Sequence, residues 1–182
     1  MKTKGHILIL TGSPGAGKTT VAKRLALALG VPAVHLHTDD FWHFIKNGAI
    51  APYLPEADAQ NKIVMKVIAT AAEEYAIGSY FVIVDGIIGP WFLDYFLGLS
   101  APVSYIVLQP DIDSAIARCR HRGGQELTDA NVVRDLHTQL SNLGKYQNFA
   151  LKTGQMSADE VLNTVMNTIS SKTHELTKQL DE

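Results

Sequence analysis

A chain of 182 residues, 46% hydrophobic and 19% charged, carries enough apolar material for one globular domain of α/β size spanning 1–182. Its formal net charge is −2 and its 16 Lys and Arg residues are dispersed, so there is no electrostatic footprint for duplex nucleic acid and small substrates fit better. The single cysteine, Cys119, allows no internal disulfide, the N-terminus lacks a signal-peptide layout, and no apolar stretch approaches the ~20 residues of a membrane span; the expectation is a cytoplasmic protein, monomeric or homodimeric, with no membrane or nucleic-acid partner.

The first predicted element is the apolar run at 7–10, which reads as a strand covered on both faces. It leads into Gly12-Ser-Pro-Gly-Ala-Gly-Lys-Thr-Thr20, which fits G-x-x-x-x-G-K-[ST] through Gly12, Gly17, Lys18 and Thr19, in the strand, loop, helix setting that this motif requires. Gly12, Gly15 and Gly17 permit positive φ, so the loop Ser13-Pro14-Gly15-Ala16-Gly17 can wrap the backbone N–H groups of its non-proline residues, and those of Lys18 to Thr20, round phosphate oxygens. Lys18 supplies a mobile cation for the β and γ phosphates and the Thr19 hydroxyl takes one Mg²⁺ position, so the implied ligands are a nucleoside triphosphate, ATP or GTP, and Mg²⁺. Helical spacing follows at Val21, Leu25, Ala28 and Leu29.

A second strand at 33–36 runs into HLHTDDFW and places Asp39 and Asp40 at its exit, the edge of an open α/β sheet where ligands bind. Asp39 is read as the general base for an attacking hydroxyl and Asp40 as a metal-shell or substrate contact. The pair also suits an N-cap on a helix beginning at Phe41, which rivals the ligand role for Asp40, and which acid is the base stays open. His35 and His37 alternate along this strand and are read as satisfying core or edge hydrogen bonds rather than holding a metal.

The insertion at 41–78 concentrates Phe41, Trp42, Phe44 and Tyr53 and then shows helical spacing at Ile63, Val64, Val67, Ile68 and Ala71. A third strand at 80–84 ends in VDG, and Asp85 is read as the acid of the Mg²⁺ site, acting through water. The aromatic group at 90–96 follows it. Aromatics at such spacing are more often core than ligand platform, but Trp42 beside the acids, with Tyr53 and Trp91, forms the candidate substrate wall together with Asp39.

A fourth strand at 103–108 precedes a helix marked by Ile112, Ala115, Ile116 and Cys119. Arg118 and Arg122 are four apart and share a helix face, which by itself also suits an ordinary solvated basic helix end. Gly123 and Gly124 mark a break, and the helix restarts with Thr128 or Asp129 as cap. A weaker strand at 148–152 is followed by Thr153 and Gly154. Ser157 and Glu160 then have capping-box spacing, and 171–182 loses apolar periodicity, as a frayed helix end does.

The loop, TDDF and VDG resemble the adenylate kinase-like and gluconate kinase-like P-loop small-molecule kinases, in particular small members similar to chloramphenicol phosphotransferase. That resemblance implies a three-layer P-loop NTPase fold: a five-stranded parallel sheet of order 2-3-1-4-5, helices on both faces and a short lid at about 120–128. It implies that the acceptor enters at 41–78 and that Asp39 activates its hydroxyl. Arg118 would stack on adenine or approach the phosphates, and Arg122 would neutralise the transferring group. Thr153 and Gly154 would line the adenine site, although Lys152 stands where the family often has Asp.

The activity so implied is ATP-dependent transfer of the γ-phosphate to a hydroxyl of a metabolite, nucleoside or antibiotic-like small molecule. A nucleoside monophosphate kinase is the first alternative, but 41–81 contains no arginine to hold a second phosphate. A regulatory module that binds nucleotide without an acceptor is the second; the base-reading N-K-x-D of guanine switches is missing from the sequence. A kinase of nucleic-acid ends is disfavoured by the mild acidity.

Overall fold

The computed structural model of the protein describes residues 5–122 and 129–176. Five strands build a parallel sheet: β1 (His6–Gly12), β2 (Ala33–His37), β3 (Phe81–Gly86), β4 (Val103–Pro110) and β5 (Ala150–Gly154). Their order is β2-β3-β1-β4-β5, the 2-3-1-4-5 order of the P-loop fold. The helices are α1 (Lys18–Ala28), α2 (Thr38–His43), α3 (Asp58–Ile77), α4 (Asp94–Leu97), α5 (Ile112–Arg122), α6 (Ala130–Ser141) and α7 (Ala158–Ser171).

The run HILILTG forms the central strand because both of its faces are covered. Ile7 and Ile9 point into a cluster with Val64, Met65 and Ile68 of α3 and with Val82, Val84, Tyr105 and Val107 of the neighbouring strands. Leu8 and Leu10 point the other way, against Val21 and Leu25 of α1, Ile106 and Leu108 of β4, and Val161 and Val165 of α7. This period-two division of a uniformly apolar strand makes the three layers, and each such side chain contributes on the order of 2 kcal/mol of burial. Ile116, Cys119 and Val133 join α5 to α6 in a third, smaller cluster.

Three local expectations change. On α3 the buried face is Val64, Met65, Ile68, Ala69, Ala72 and Ala76, while Ile63 and Val67 are exposed. The helix is apolar on more than one side, so spacing alone did not set its rotation. The second helix begins at Thr38, with His37 as its N-cap, so Asp39 and Asp40 lie in its first turn with exposed side chains instead of capping a helix at Phe41. The C-terminal stretch does not simply fray: Lys172 turns the chain with φ 55, and a two-residue strand, β6 (Glu175–Leu176), pairs antiparallel with Val103 and Ser104 of β4.

Two caps match the expectation. Asp129 caps α6 by accepting from Asn131 N, and Ser157 with Glu160 forms a reciprocal capping box on α7. The register then levels the functional ends of the strands: Leu10 pairs with Asp85, Thr11 with Gly86, Gly12 with Leu108, and His37 with Asp85.

Candidate active site

The loop between β1 and α1 is shaped by backbone that only glycine adopts readily. Gly15 and Gly17 have φ of 77° and 87°. Gly15 also lies so close under α5 that a Cβ would run into the Ala115 carbonyl, whereas Gly17 faces open space. Gly17 is the N-cap of α1, with no capping side chain and no acid in the first turn, so the N–H groups of the first turn are left for an external anion to satisfy. Ser13 and Ala16 are buried, Pro14 is half-buried and Thr20 is exposed. The Ser13 Oγ has no protein partner, and Lys18 Nζ folds back to donate to the Ser13 carbonyl at 3.0 Å.

Beside the loop, the fully buried Asp85 is gripped by two histidines of the neighbouring strand. Its Oδ1 accepts from His35 Nε2 and from His37 Nδ1, each at 2.8 Å, while its Oδ2 is buried without a hydrogen-bond partner. Burial alone would raise the Asp85 pKa; hydrogen bonds from His35 and His37 outweigh that, with the nearby Thr19 hydroxyl acting in the same direction, and hold the carboxyl well below its ordinary value. The hydrogen bond to Asp85 raises the His37 pKa, against the cost of burial, and the charges of Asp85, Asp39 and Asp40 add to the rise. The other ring nitrogen of His37, Nε2, stands 3.6 Å from Asp39 Oδ2. Asp39 itself is 64% exposed on its side chain.

The sequence points to Asp85 and to hydrogen-bonding histidines on β2, but not to their meeting. The signal was present as His-x-His on one strand and Asp at the end of another, but only the β2–β3 pairing makes them one cluster.

From α5, Arg118 reaches back to the phosphate loop, with Nη1 3.4 Å from the Gly15 carbonyl. The side chain of Arg122 and the lid segment at 123–128 lie outside the described residues. Across the loop, Thr153 at the end of β5 is buried with Oγ1 unpartnered, and its carbonyl accepts from Met156 N at 2.7 Å. Gly154 next to it has φ 45.

On the acceptor side, a cavity of about 430 Å³ is walled by Tyr53, Trp91, Phe92 and Tyr95, with Asp58, Asn61 and Lys62 along the first turn of α3. That turn and the chain leaving β3 both lie at the carboxyl edge of the sheet, where the phosphate loop opens. Lys62 is paired to Asp58 at 2.7 Å. Tyr53 and Trp91 are thus brought together, while Asp39 and Trp42 do not line this cavity. The half-buried Trp42 packs against the core and donates Nε1–H to Asn61 Oδ1 at 2.9 Å, which ties α2 to the cavity wall.

The donor set fits a magnesium nucleotide. Uncapped N–H groups and Lys18 suit phosphate oxygens, and the Thr19 hydroxyl with the orphaned Asp85 oxygen suits a hard cation and its water shell. Among the described residues, no helix is long and apolar enough to cross a membrane, and no group of three or more His, Cys, Asp or Glu could hold a metal ion.

No curated protein sequence matches the chain significantly. Its structure is similar to an unliganded sugar kinase from Janibacter sp. HTCC2649, with a TM-score of 0.71, 14% identity, and coverage of 92% of this chain and 95% of that one. It is also similar to shikimate kinase from Acinetobacter baumannii in complex with shikimate, with a TM-score of 0.64, 20% identity, and coverage of 99% and 97%. A chain of the Pnkp1/Rnl/Hen1 RNA repair complex matches with a TM-score of 0.67 and 17% identity over 100% of this chain, which spans 51% of that longer one. These likenesses establish a P-loop NTPase-like fold. The family model described as AAA domain matches residues 8–139, from the central strand through the phosphate loop, Asp39, Asp85 and Arg118, and the protein belongs to that family.

Proposed function

We propose that the protein is an ATP-dependent kinase that transfers the γ-phosphate to a hydroxyl of a neutral, ring-bearing small molecule. The observation that carries this reading is the convergence, at one sheet edge, of an uncapped phosphate loop, a buried ionised Asp85, an exposed Asp39 and an aromatic cavity. In this scheme the loop N–H groups and Lys18 hold the β and γ phosphates, and Arg118 lies along the same phosphates. Asp39 accepts the proton of the acceptor hydroxyl as its oxygen attacks the γ-phosphorus, and the bond from that phosphorus to the β–γ bridging oxygen breaks to leave ADP. Thr19 and, through water, Asp85 would hold Mg²⁺, with Asp40 as a further metal-shell or substrate contact, and the ion would supply charge neutralisation on the transferring group. Catalysis is then chiefly positioning and electrostatics. Thr153 and Gly154 line the adenine side.

A neutral acceptor suits the cavity because the cation along its wall, Lys62, is already paired to Asp58, and no arginine lies in 41–81 to take a second phosphate. A cytoplasmic, monomeric or homodimeric enzyme is the matching setting. The test is ADP release from Mg-ATP with a panel of sugars, nucleosides, hydroxylated aromatic compounds, nucleoside monophosphates and 5′-hydroxyl oligonucleotides. Stimulation by a neutral ring compound is expected, and Asp39→Asn should abolish transfer while leaving ATP affinity unchanged. ATP binding with no stimulation by any acceptor would favour a nucleotide-binding module instead.

A further inference from the structure

We infer that His37 is a positioning residue that joins the metal-side acid to the acceptor-side acid, fixing Asp85 with one oxygen turned to the metal shell and drawing the Asp39 carboxylate in beside it. The inference rests on the reading of Asp85 as the metal-side acid. Its ground is the use of both ring nitrogens. Nδ1 donates to Asp85 Oδ1 at 2.8 Å, and Nε2, on the far side of the same rigid ring, lies 3.6 Å from Asp39 Oδ2.

A second imidazole, His35, donates to the same Asp85 oxygen at 2.8 Å from two residues earlier on β2. With Oδ1 taken by two N–H donors, the Asp85 carboxylate cannot rotate without breaking both bonds, and the oxygen left over is the buried, unpartnered Oδ2. A ligating carboxylate oriented in this way by outer partners is a recurring requirement of metal sites. At 3.6 Å the contact with Asp39 is longer than a hydrogen bond and becomes an ion pair when the ring carries its second proton; contacts in a site without substrate are often long in this way. The backbone supports the span: His37 is at once the last residue of β2 and the N-cap of α2, and Thr38 is pressed so closely on Gly86 that a Cβ there would overlap its side chain. The backbone that carries the ring is therefore held in place.

The two arms can be cut separately. Asn at 37 keeps an N–H near the position of Nδ1 and loses the reach to Asp39; Gln keeps an N–H near Nε2 and loses the bond to Asp85. Calorimetric titration with ADP, with and without Mg²⁺, reads the first arm. In the wild type Mg²⁺ should tighten ADP; in His37→Gln about tenfold of that gain should be lost, with metal-free affinity unchanged, and in His37→Asn the gain should be kept. A variant that merely loosened the fold would weaken ADP equally in both conditions. Long-range ¹H–¹⁵N spectra of the imidazoles at one fixed pH read the second arm without any acceptor or metal: Asp39→Asn, an exposed substitution, should shift His37 Nε2 and leave His35 in place.

Full retention of the Mg²⁺ gain in His37→Gln, or an unmoved His37 Nε2 in Asp39→Asn, overturns the inference while leaving the kinase reading standing. A wild type whose ADP affinity ignores Mg²⁺ overturns both.

Discussion

Thr11 and Ile88 are joined across 77 residues of sequence: the buried Thr11 hydroxyl accepts the Ile88 backbone N–H at 2.8 Å. The carbonyl of the same residue accepts the O–H of the fully buried Tyr105 at 2.9 Å, so both backbone groups of Ile88 are fixed as the chain leaves Asp85 for the aromatic wall. Burial, with Tyr146 nearby, pushes the Tyr105 phenol well above its ordinary value, which keeps it a donor at all ordinary pH. Thr11→Val would leave a buried N–H unpaired and should cost about 1–3 kcal/mol in urea unfolding. Tyr105→Phe should cost about 1 kcal/mol or more for the same reason.

Two loop glycines separate backbone strain from collision. Gly15 and Gly17 both have positive φ, so alanine at either should cost about 1–2 kcal/mol from the left-handed conformation. Only at Gly15 does the new Cβ meet the backbone of α5. Thermal melts should therefore show Gly15→Ala well below Gly17→Ala. Because Arg118 leans on the Gly15 carbonyl, the ADP affinity of Gly15→Ala should fall further than its stability loss alone explains.

Stability should depend on pH through histidines that pull in opposite directions. Burial holds His6 below its ordinary value of 6.5, so as pH falls through 6.5 the unfolded chain takes up a proton that the folded protein refuses, and stability is lost. His174 acts in the same sense, again through burial. His37, raised chiefly by its bond to Asp85, contributes stability that is full below 6.5 and is lost as pH rises through its higher folded value. Urea midpoints at pH 5.5, 6.5 and 7.5 should show His6→Gln flattening the acid-side loss and His37→Asn steepening it.

The aromatic wall should act on the acceptor and spare the nucleotide. Trp91→Ala and Tyr53→Ala should each raise the acceptor KM about tenfold, the equivalent of about 1.4 kcal/mol, with ADP affinity unchanged by calorimetry. Lys62→Ala should move neither by more than about twofold, since its charge is already paired at the surface.

What could be read from the chain divides by how local its cause is. GSPGAGKTT was legible because loop, helix start and phosphate ligands lie in nine consecutive residues, and the strands were legible because burial on both faces leaves unbroken apolar runs. The capping box of Ser157 and Glu160 is equally local. The Asp85 cluster was not legible, since His35 and His37 precede it by 50 and 48 residues and meet it only through the parallel β2–β3 register. The acids at Asp39 and Asp40 resembled caps because strand and helix here follow without an intervening loop, which moves the helix start to Thr38. On α3, Ile63 and Val67 have the right spacing for a core face but lie on the solvent side of a broadly apolar helix.

The short strand after α7 has a consequence for how the molecule behaves in a crowd. β5 borders β4 only from Val107 to Pro110, so the start of β4 would present bare N–H and C=O groups to any passing chain; Glu175 and Leu176 cover Val103 and Ser104 there, and the His174 carbonyl takes the Tyr105 N–H at 2.9 Å. A two-residue strand at the end of the described chain thus serves as a guard against strand addition from another copy.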